Sequence, residues 1–175
     1  MTKQKFLQLT ANATQDQKTA AVEWYDMANK LARSLTTLGD LDFDQACCII
    51  AAFSIRQRWE KNVELATRFA KGERNLPVMG AINKIAENIV SFDDPYTALN
   101  GDKTNSFAKN IAGDVDAVTL DVWMIRAAGL DTSKSLGKKA YRELSQSLTD
   151  AALDFGMRPA HYQALVWIMI RGSAE

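Results

Sequence analysis

The sequence predicts an all-α protein, a bundle of about eight to nine helices. Apolar residues recur at helical spacing along most of the chain, whereas the alternation typical of strands is nearly absent. Each of the three prolines stands near an expected helix boundary. Because 47% of the 175 residues are hydrophobic, the chain can build a substantial core. We expect a single domain over residues 1–175 or two helical lobes that share a core.

Composition limits the compartment and the cofactors. The 21 basic residues balance 21 acidic residues, so a nucleic-acid-binding surface would have to be local. No apolar run has the length of a membrane span, and the first ten residues lack the apolar segment of a signal peptide. Adjacent Cys47 and Cys48 lie in an apolar run, which indicates buried thiols in a reducing compartment. We expect a cytoplasmic protein, nucleoid-associated or in an infected host cell, with no membrane contact, metal or cofactor.

Two capping boxes mark where the first long helices begin. Residues 14–17 start a helix with one apolar face that continues to about Leu35. Residues 42–45 start a helix over 43–53 that is apolar on all sides, which is typical of the centre of a bundle. A third helix is expected from Trp59 to about residue 70, with Val63, Leu65, Ala66 and Phe69 facing the core.

A basic run follows the apolar helix. Between positions 55 and 75 the chain carries six basic residues against three acids. The basic residues are Arg56, Arg58, Lys61, Arg68, Lys71 and Arg74. The run is interpreted either as a solvated helix face or as an edge that contacts phosphates.

The second half of the chain alternates short helices with glycine-containing turns. Asn100-Gly101 is a turn signal that joins two helices, and Gly129 and Gly156 are expected to end helices. Pro159 at the first helical position opens the last helix. The expected helices cover about 81–90, 94–99, 104–112, 119–128, 138–155 and 159–171.

Three motifs follow one another along the chain. The apolar helix ACCIIAAFS continues into RQRWEKNVELA, Lys103-Thr104 follows the Asn-Gly turn, and an apolar stretch over 118–120 leads to Asp121. Lys103 and Asp121 are 121 − 103 = 18 residues apart.

In this order, the motifs resemble the helix-hairpin-helix base-excision DNA glycosylase superfamily, most strongly its endonuclease-three-like branch of glycosylase/lyases. The resemblance covers the chain from about Phe43 to Gly172. The first motif is similar to the core helix of the family and its polar end, and Lys103-Thr104 matches the Lys-Thr of the hairpin. Residues 118–121 match the apolar approach to the catalytic aspartate, and the separation of 18 residues is also that of the branch.

The resemblance implies the site residues. Asp121 is the expected catalytic carboxylate, which stabilises an oxocarbenium-like sugar or activates a nucleophile. Lys103 is expected to attack the sugar and form a Schiff base, and a cleft is expected near these two residues. Residues implied to contact DNA are Asn100, Gly101, Thr104, Asn105, Arg56, Gln57, Arg58 and Asn62. Trp59 and Trp123 are expected to line the pocket for a base taken out of the stack, whereas Trp167 is assigned to the core.

The chain departs from the family in two places. The hairpin, Leu99 to Asp102, is shorter than the usual Leu-Pro-Gly-x-Gly loop, and the carboxylate of Asp102 would repel a phosphate backbone. The four-cysteine site that some members carry at the C-terminus is missing, so no iron–sulfur cluster is expected.

Several functions stay open at this point. The first is a DNA glycosylase, with AP-lyase activity as a further option, that acts as a monomer on duplex DNA with a flipped base. The second is a phage DNA base-modification enzyme of the same fold, and the third is a non-catalytic DNA-binding or protein-interaction module. Without the resemblance, Asp121 would be interpreted as a helix cap, and the two roles are compatible.

Overall fold

The computed structural model describes residues 1–172, and in this range the protein is all-helical, as predicted. Nine α-helices and one short 3-10 helix make up the regular structure of these residues. The α-helices are α1 (Thr2–Thr10), α2 (Gln15–Leu35), α3 (Phe43–Phe53), α4 (Trp59–Ala70), α5 (Gly80–Ser91), α6 (Asp102–Ala112), α7 (Val122–Ala127), α8 (Lys138–Phe155) and α9 (Pro159–Arg171). The 3-10 helix covers Pro95–Ala98. Within 1–172, no helix combines the length and the apolar character that a membrane crossing needs.

The backbone forms two compact units. Unit 1 combines Met1–Asp26 with the chain from Asp114 onward, and unit 2 is Met27–Gly113. Unit 2 is thus inserted between the two segments of unit 1, and the first boundary falls inside α2.

Unit 1 is built around α9. This helix packs against α1, α7 and α8, and α1 also packs against α8. Phe6, Leu148 and Leu165 are fully buried in this core. The hydroxyl groups of Thr10 and Tyr162 share a hydrogen bond of 2.9 Å, which ties α1 to α9. We did not predict α1 from the sequence, because Phe6 and Thr10 are its only buried residues and give almost no helical pattern.

Unit 2 is built around α3. Every residue from Ala46 to Phe53 is fully buried, and α3 packs against α4, α5, α6 and the 3-10 helix. The predicted capping box is confirmed, since Asp42 accepts a hydrogen bond from the backbone N–H of Gln45 while the Gln45 side chain accepts from that of Asp42. The two cysteines are free and buried, as predicted.

Two helices begin at least two residues away from the predicted position. Helix α6 begins at Asp102 and not at residue 104, so Lys103 lies inside its first turn. Helix α7 begins at Val122 and not at residue 119, because Val118, Thr119 and Leu120 are buried in a segment without regular structure before the Asp121 cap.

Two side chains also depart from the sequence prediction. Trp167, assigned to the core, is only half-buried, and the guanidinium of Arg171 lies over its ring. In α4 it is Asn62 that faces the core with 1% exposure, although the apolar pattern favoured Val63, which is half-buried.

Candidate functional site

A buried segment without regular structure precedes Asp121 in unit 1. Val118, Thr119 and Leu120 are at most 6% exposed. The Tyr141 hydroxyl on α8 donates to the carbonyl of Val118 at 3.0 Å and accepts from the N–H of Leu120 at 3.2 Å. A single side chain thereby satisfies one acceptor and one donor of a buried backbone segment that lies in no helix or strand. The segment that leads to Asp121 is fixed by this contact.

Asp121 caps α7. Its Oδ1 accepts hydrogen bonds from the backbone N–H groups of Trp123 and Met124, each at 3.0 Å. These are two of the donors that the first turn of a helix cannot satisfy internally. Asp121 is half-buried, and the two hydrogen bonds hold its carboxylate in one orientation.

Buried polar groups lie beside Asp121. The Tyr25 hydroxyl on α2 donates to Oε1 of Gln163 on α9 at 2.6 Å, and both side chains are at most 7% exposed. Burial raises the pKa of Tyr25 well above its usual range; a hydrogen bond from Thr119 opposes this, and the charge of Asp121 adds to it. Tyr25 therefore stays protonated and remains a hydrogen-bond donor at any physiological pH.

Two arginines and two tryptophans stack near this carboxylate. The Arg126 guanidinium lies 4.7 Å from the Trp123 ring centroid. The Arg171 guanidinium lies over both indoles, 5.4 Å from the Trp123 centroid and 4.5 Å from the Trp167 centroid. Both arginines are exposed and both tryptophans are half-buried. We call these four residues the Arg–Trp cluster.

Lys103 belongs to the other unit. It is exposed in the first turn of α6, after the exposed Asn100 and Gly101. Thr104 is half-buried, and Asn105 Nδ2 donates to the backbone carbonyl of Tyr96 at 3.0 Å. The amide of Asn105 therefore braces the 3-10 helix from within unit 2.

The predicted DNA edge around α4 is only partly exposed. Arg56 and Arg58 are exposed, Gln57 and Trp59 are half-buried, and Arg56 has a left-handed backbone with φ of 56°. Asn62 is 1% exposed and cannot contact DNA directly in this conformation. Within the described residues its Oδ1 accepts no hydrogen bond.

Three of the six basic residues that follow α3 form contacts with other side chains of unit 2. Lys61 pairs with Glu64 at 2.8 Å, and Arg68 pairs with Glu73 at 2.9 Å. The Arg74 guanidinium lies 3.9 Å from the Phe69 ring centroid. These contacts favour the interpretation of this run as a solvated helix face over a phosphate-contacting edge.

Several residues of the site escaped the sequence analysis. Tyr141, Tyr25 and Gln163 come from distant parts of the chain, and no local pattern marks them. Arg171 had a local signal, since Trp167 and Arg171 are four residues apart on one helix face. Within 1–172, no group of His, Cys, Asp and Glu side chains has the arrangement of a metal site.

Comparison with known proteins places the chain in a family. The model of a "Family of unknown function (DUF7178)" matches residues 1–174. The chain belongs to this family. No curated protein and no solved structure matches the chain. The function of this DUF7178 member has to be inferred from its own residues.

Proposed function

We propose that this DUF7178 member is a DNA glycosylase that cleaves the base–sugar bond of a damaged or modified base, with Asp121 as its catalytic carboxylate. The observation that supports the proposal is the setting of Asp121. Its carboxylate is fixed by two hydrogen bonds on a half-buried residue at the end of a buried segment, and Trp123 and Arg126 of the Arg–Trp cluster follow it within five residues.

Such a carboxylate suits the chemistry of base release. When the base leaves with the electron pair of the base–sugar bond, positive charge develops on the sugar. A carboxylate held in place by two backbone N–H groups does not have to reorient as that charge forms. Water then adds to the sugar, and an abasic site remains.

The lyase step is assigned to Lys103. Its Nζ adds to C1′ of the ring-opened abasic sugar, and loss of water gives a Schiff base. Removal of a proton from C2′ then forms the C2′–C3′ double bond and expels the 3′ phosphate. A lysine nucleophile has to be present in its neutral form. Within unit 2 Lys103 is exposed in the first turn of α6.

The test of base release compares two capping aspartates. Wild-type protein is incubated with duplex and single-stranded oligonucleotides that contain a panel of damaged and modified bases, and alkali cleavage then reveals abasic sites. Asp121→Asn keeps the cap but removes the charge, and we expect at least a roughly 100-fold loss of rate. Asp42→Asn changes a matched N-cap on α3 and should leave the rate unchanged. A panel that yields no abasic product with wild-type protein would refute the proposal.

The lyase step is tested separately by borohydride trapping. Wild-type protein should give a covalent adduct with abasic DNA, and Lys103→Ala should lose it. Lys109→Ala removes an exposed lysine from the last turn of the same helix and should keep it. An adduct that survives Lys103→Ala would assign the nucleophile to another residue.

A second candidate is a non-catalytic DNA-binding module. It is favoured by the two hydrogen bonds that already engage Asp121 as a structural cap. In that case DNA binding shows an ordinary dependence on salt, and Asp121→Asn changes no activity.

A further inference from the structure

The Arg–Trp cluster concentrates positive charge in one place on unit 1. The chain has no net charge, so such a concentration is not a by-product of a basic composition. The guanidinium groups of Arg126 and Arg171 both lie over the ring of Trp123. Arg126 takes part in none of the ion pairs formed among the described residues.

Stacking prepares these side chains to bind an anion. A guanidinium that lies flat over an indole keeps its N–H groups pointing outward in its own plane, where they match the two oxygens of a phosphate. The stack also restricts rotamers that a free arginine would lose on binding, which lowers the entropic cost. The guanidinium groups of Arg126 on α7 and Arg171 on α9 lie 4.5–5.4 Å from the indole centroids, on helices that pack against each other.

Helix ends alone do not explain the cluster. Both arginines lie in the last turn of a helix, where a positive charge is favourable. That effect would be satisfied by any rotamer that stays near the helix end. It does not account for Arg171 reaching over two indoles of different helices.

We propose that the Arg–Trp cluster binds the phosphodiester backbone of DNA through Arg126 and Arg171, with Trp123 and Trp167 as the platform that orients them. The choice of DNA as ligand rests on the proposed function, whereas the binding does not depend on catalysis by Asp121. Phosphate contacts of this kind position a nucleic acid and carry no base specificity.

The test measures binding of a fluorescein-labelled oligonucleotide, single-stranded and duplex, by anisotropy at several salt concentrations. We expect Arg126→Ala/Arg171→Ala to bind at least about tenfold more weakly and to lower the salt slope for duplex by about 2. Lys139→Ala/Arg142→Ala removes the same charge from exposed positions of α8 and should bind like wild type. Arg126→Lys/Arg171→Lys keeps the charge without the planar fork, so it should keep the salt slope and lose affinity.

The outcomes separate this inference from the proposed function. Thermal unfolding of each variant establishes that it is folded before binding is compared. If the alanine double variant binds like the α8 control, or if wild type binds neither form of DNA, the inference is wrong. If the cluster is needed for binding but no substrate yields an abasic site, the inference stands and the glycosylase proposal fails. If Asp121→Asn abolishes base release while the cluster variants bind normally, the glycosylase proposal stands and the inference about the Arg–Trp cluster is wrong.

Discussion

The Tyr141 hydroxyl donates a hydrogen bond to the backbone carbonyl of Val118 at 3.0 Å, across 23 residues of sequence. The same oxygen accepts from the N–H of Leu120. We expect Tyr141→Phe to lower the free energy of unfolding by about 1–3 kcal/mol, because both backbone groups lose a partner that buried polar groups require. Urea denaturation followed by circular dichroism measures the loss.

Tyr96→Phe is the control for this substitution. The Tyr96 hydroxyl donates to the Asp44 carboxylate at 2.7 Å in an exposed contact, so water can replace the lost partner. Its loss of stability should therefore be smaller than that of Tyr141→Phe. Equal losses in the two variants would contradict a special role of Tyr141 in fixing the segment before Asp121.

The capping role of Asp121 can be separated from its charge. Asparagine is as good an N-cap as aspartate, whereas alanine cannot accept the hydrogen bonds that the backbone N–H groups of Trp123 and Met124 donate. We expect Asp121→Asn to have nearly wild-type stability and Asp121→Ala to lose about 0.5–2 kcal/mol. Thermal unfolding of the two variants measures this difference in stability. If Asp121→Asn is as unstable as Asp121→Ala, its loss of base release would be explained by the loss of stability and not by the missing charge.

Gly39 is required for close packing in unit 2. A Cβ built at this position would overlap the backbone carbonyl oxygen of Ala70, which is not the end of a flexible side chain. We expect Gly39→Ala to destabilise the protein by about 1–3 kcal/mol, as overpacking does. Gly80→Ala, where a Cβ meets nothing within 4 Å, should be neutral or slightly stabilising in urea denaturation. A neutral Gly39→Ala would show that the connection between α2 and α3 can shift.

The two cysteines should be inert in the folded protein. Cys47 and Cys48 have no exposed surface, and burial raises the pKa of the Cys47 thiol to about 12. Because the thiolate is the reactive form, a thiol reagent at pH 8 should modify neither residue in native protein and both in denaturant. The absorbance change with an aromatic disulfide reagent gives the number of thiols that have reacted. Rapid labelling of native protein would indicate that α3 opens easily.

Local patterns in the sequence predicted every described α-helix except α1. The capping boxes at residues 14–17 and 42–45 act over three residues, so the sequence contains the whole interaction. Contacts between distant segments carry no such signal. Nothing near Tyr141 indicates that its hydroxyl will bind Val118, and nothing near Trp123 indicates that Arg171 will lie over its ring.

Residue type was also a poor guide to which side chains face the core. Asn62 is polar and was predicted to contact DNA, but the spacing of Leu65, Ala66 and Phe69 puts it on the buried face of α4. Trp167 is apolar and was assigned to the core, but its position leaves one side of the ring for the guanidinium of Arg171. In both cases the helical face decides burial, and polarity alone gives the wrong answer.

His161 should make stability depend on pH. Burial lowers its pKa below the ordinary 6.5, the neighbouring charge of Asp26 opposes the shift, and that of Arg158 adds to it. The unfolded chain therefore binds a proton more readily than the folded one, so stability is lost as pH falls below about 6.5. The lone histidine is the one side chain with an ordinary pKa in this range. We expect the stability of His161→Gln relative to wild type to increase when the pH is lowered from 7.5 to 5. Urea denaturation of both proteins at the two pH values measures this change.

The comparison of the two proteins removes the contribution of other titrating groups. Carboxylates with lowered pKa, such as Glu64, are present in both proteins, so their contribution cancels in the difference. A stability difference that stays constant across this range would mean that the protonated ring is accommodated in the folded protein as well as in the unfolded chain.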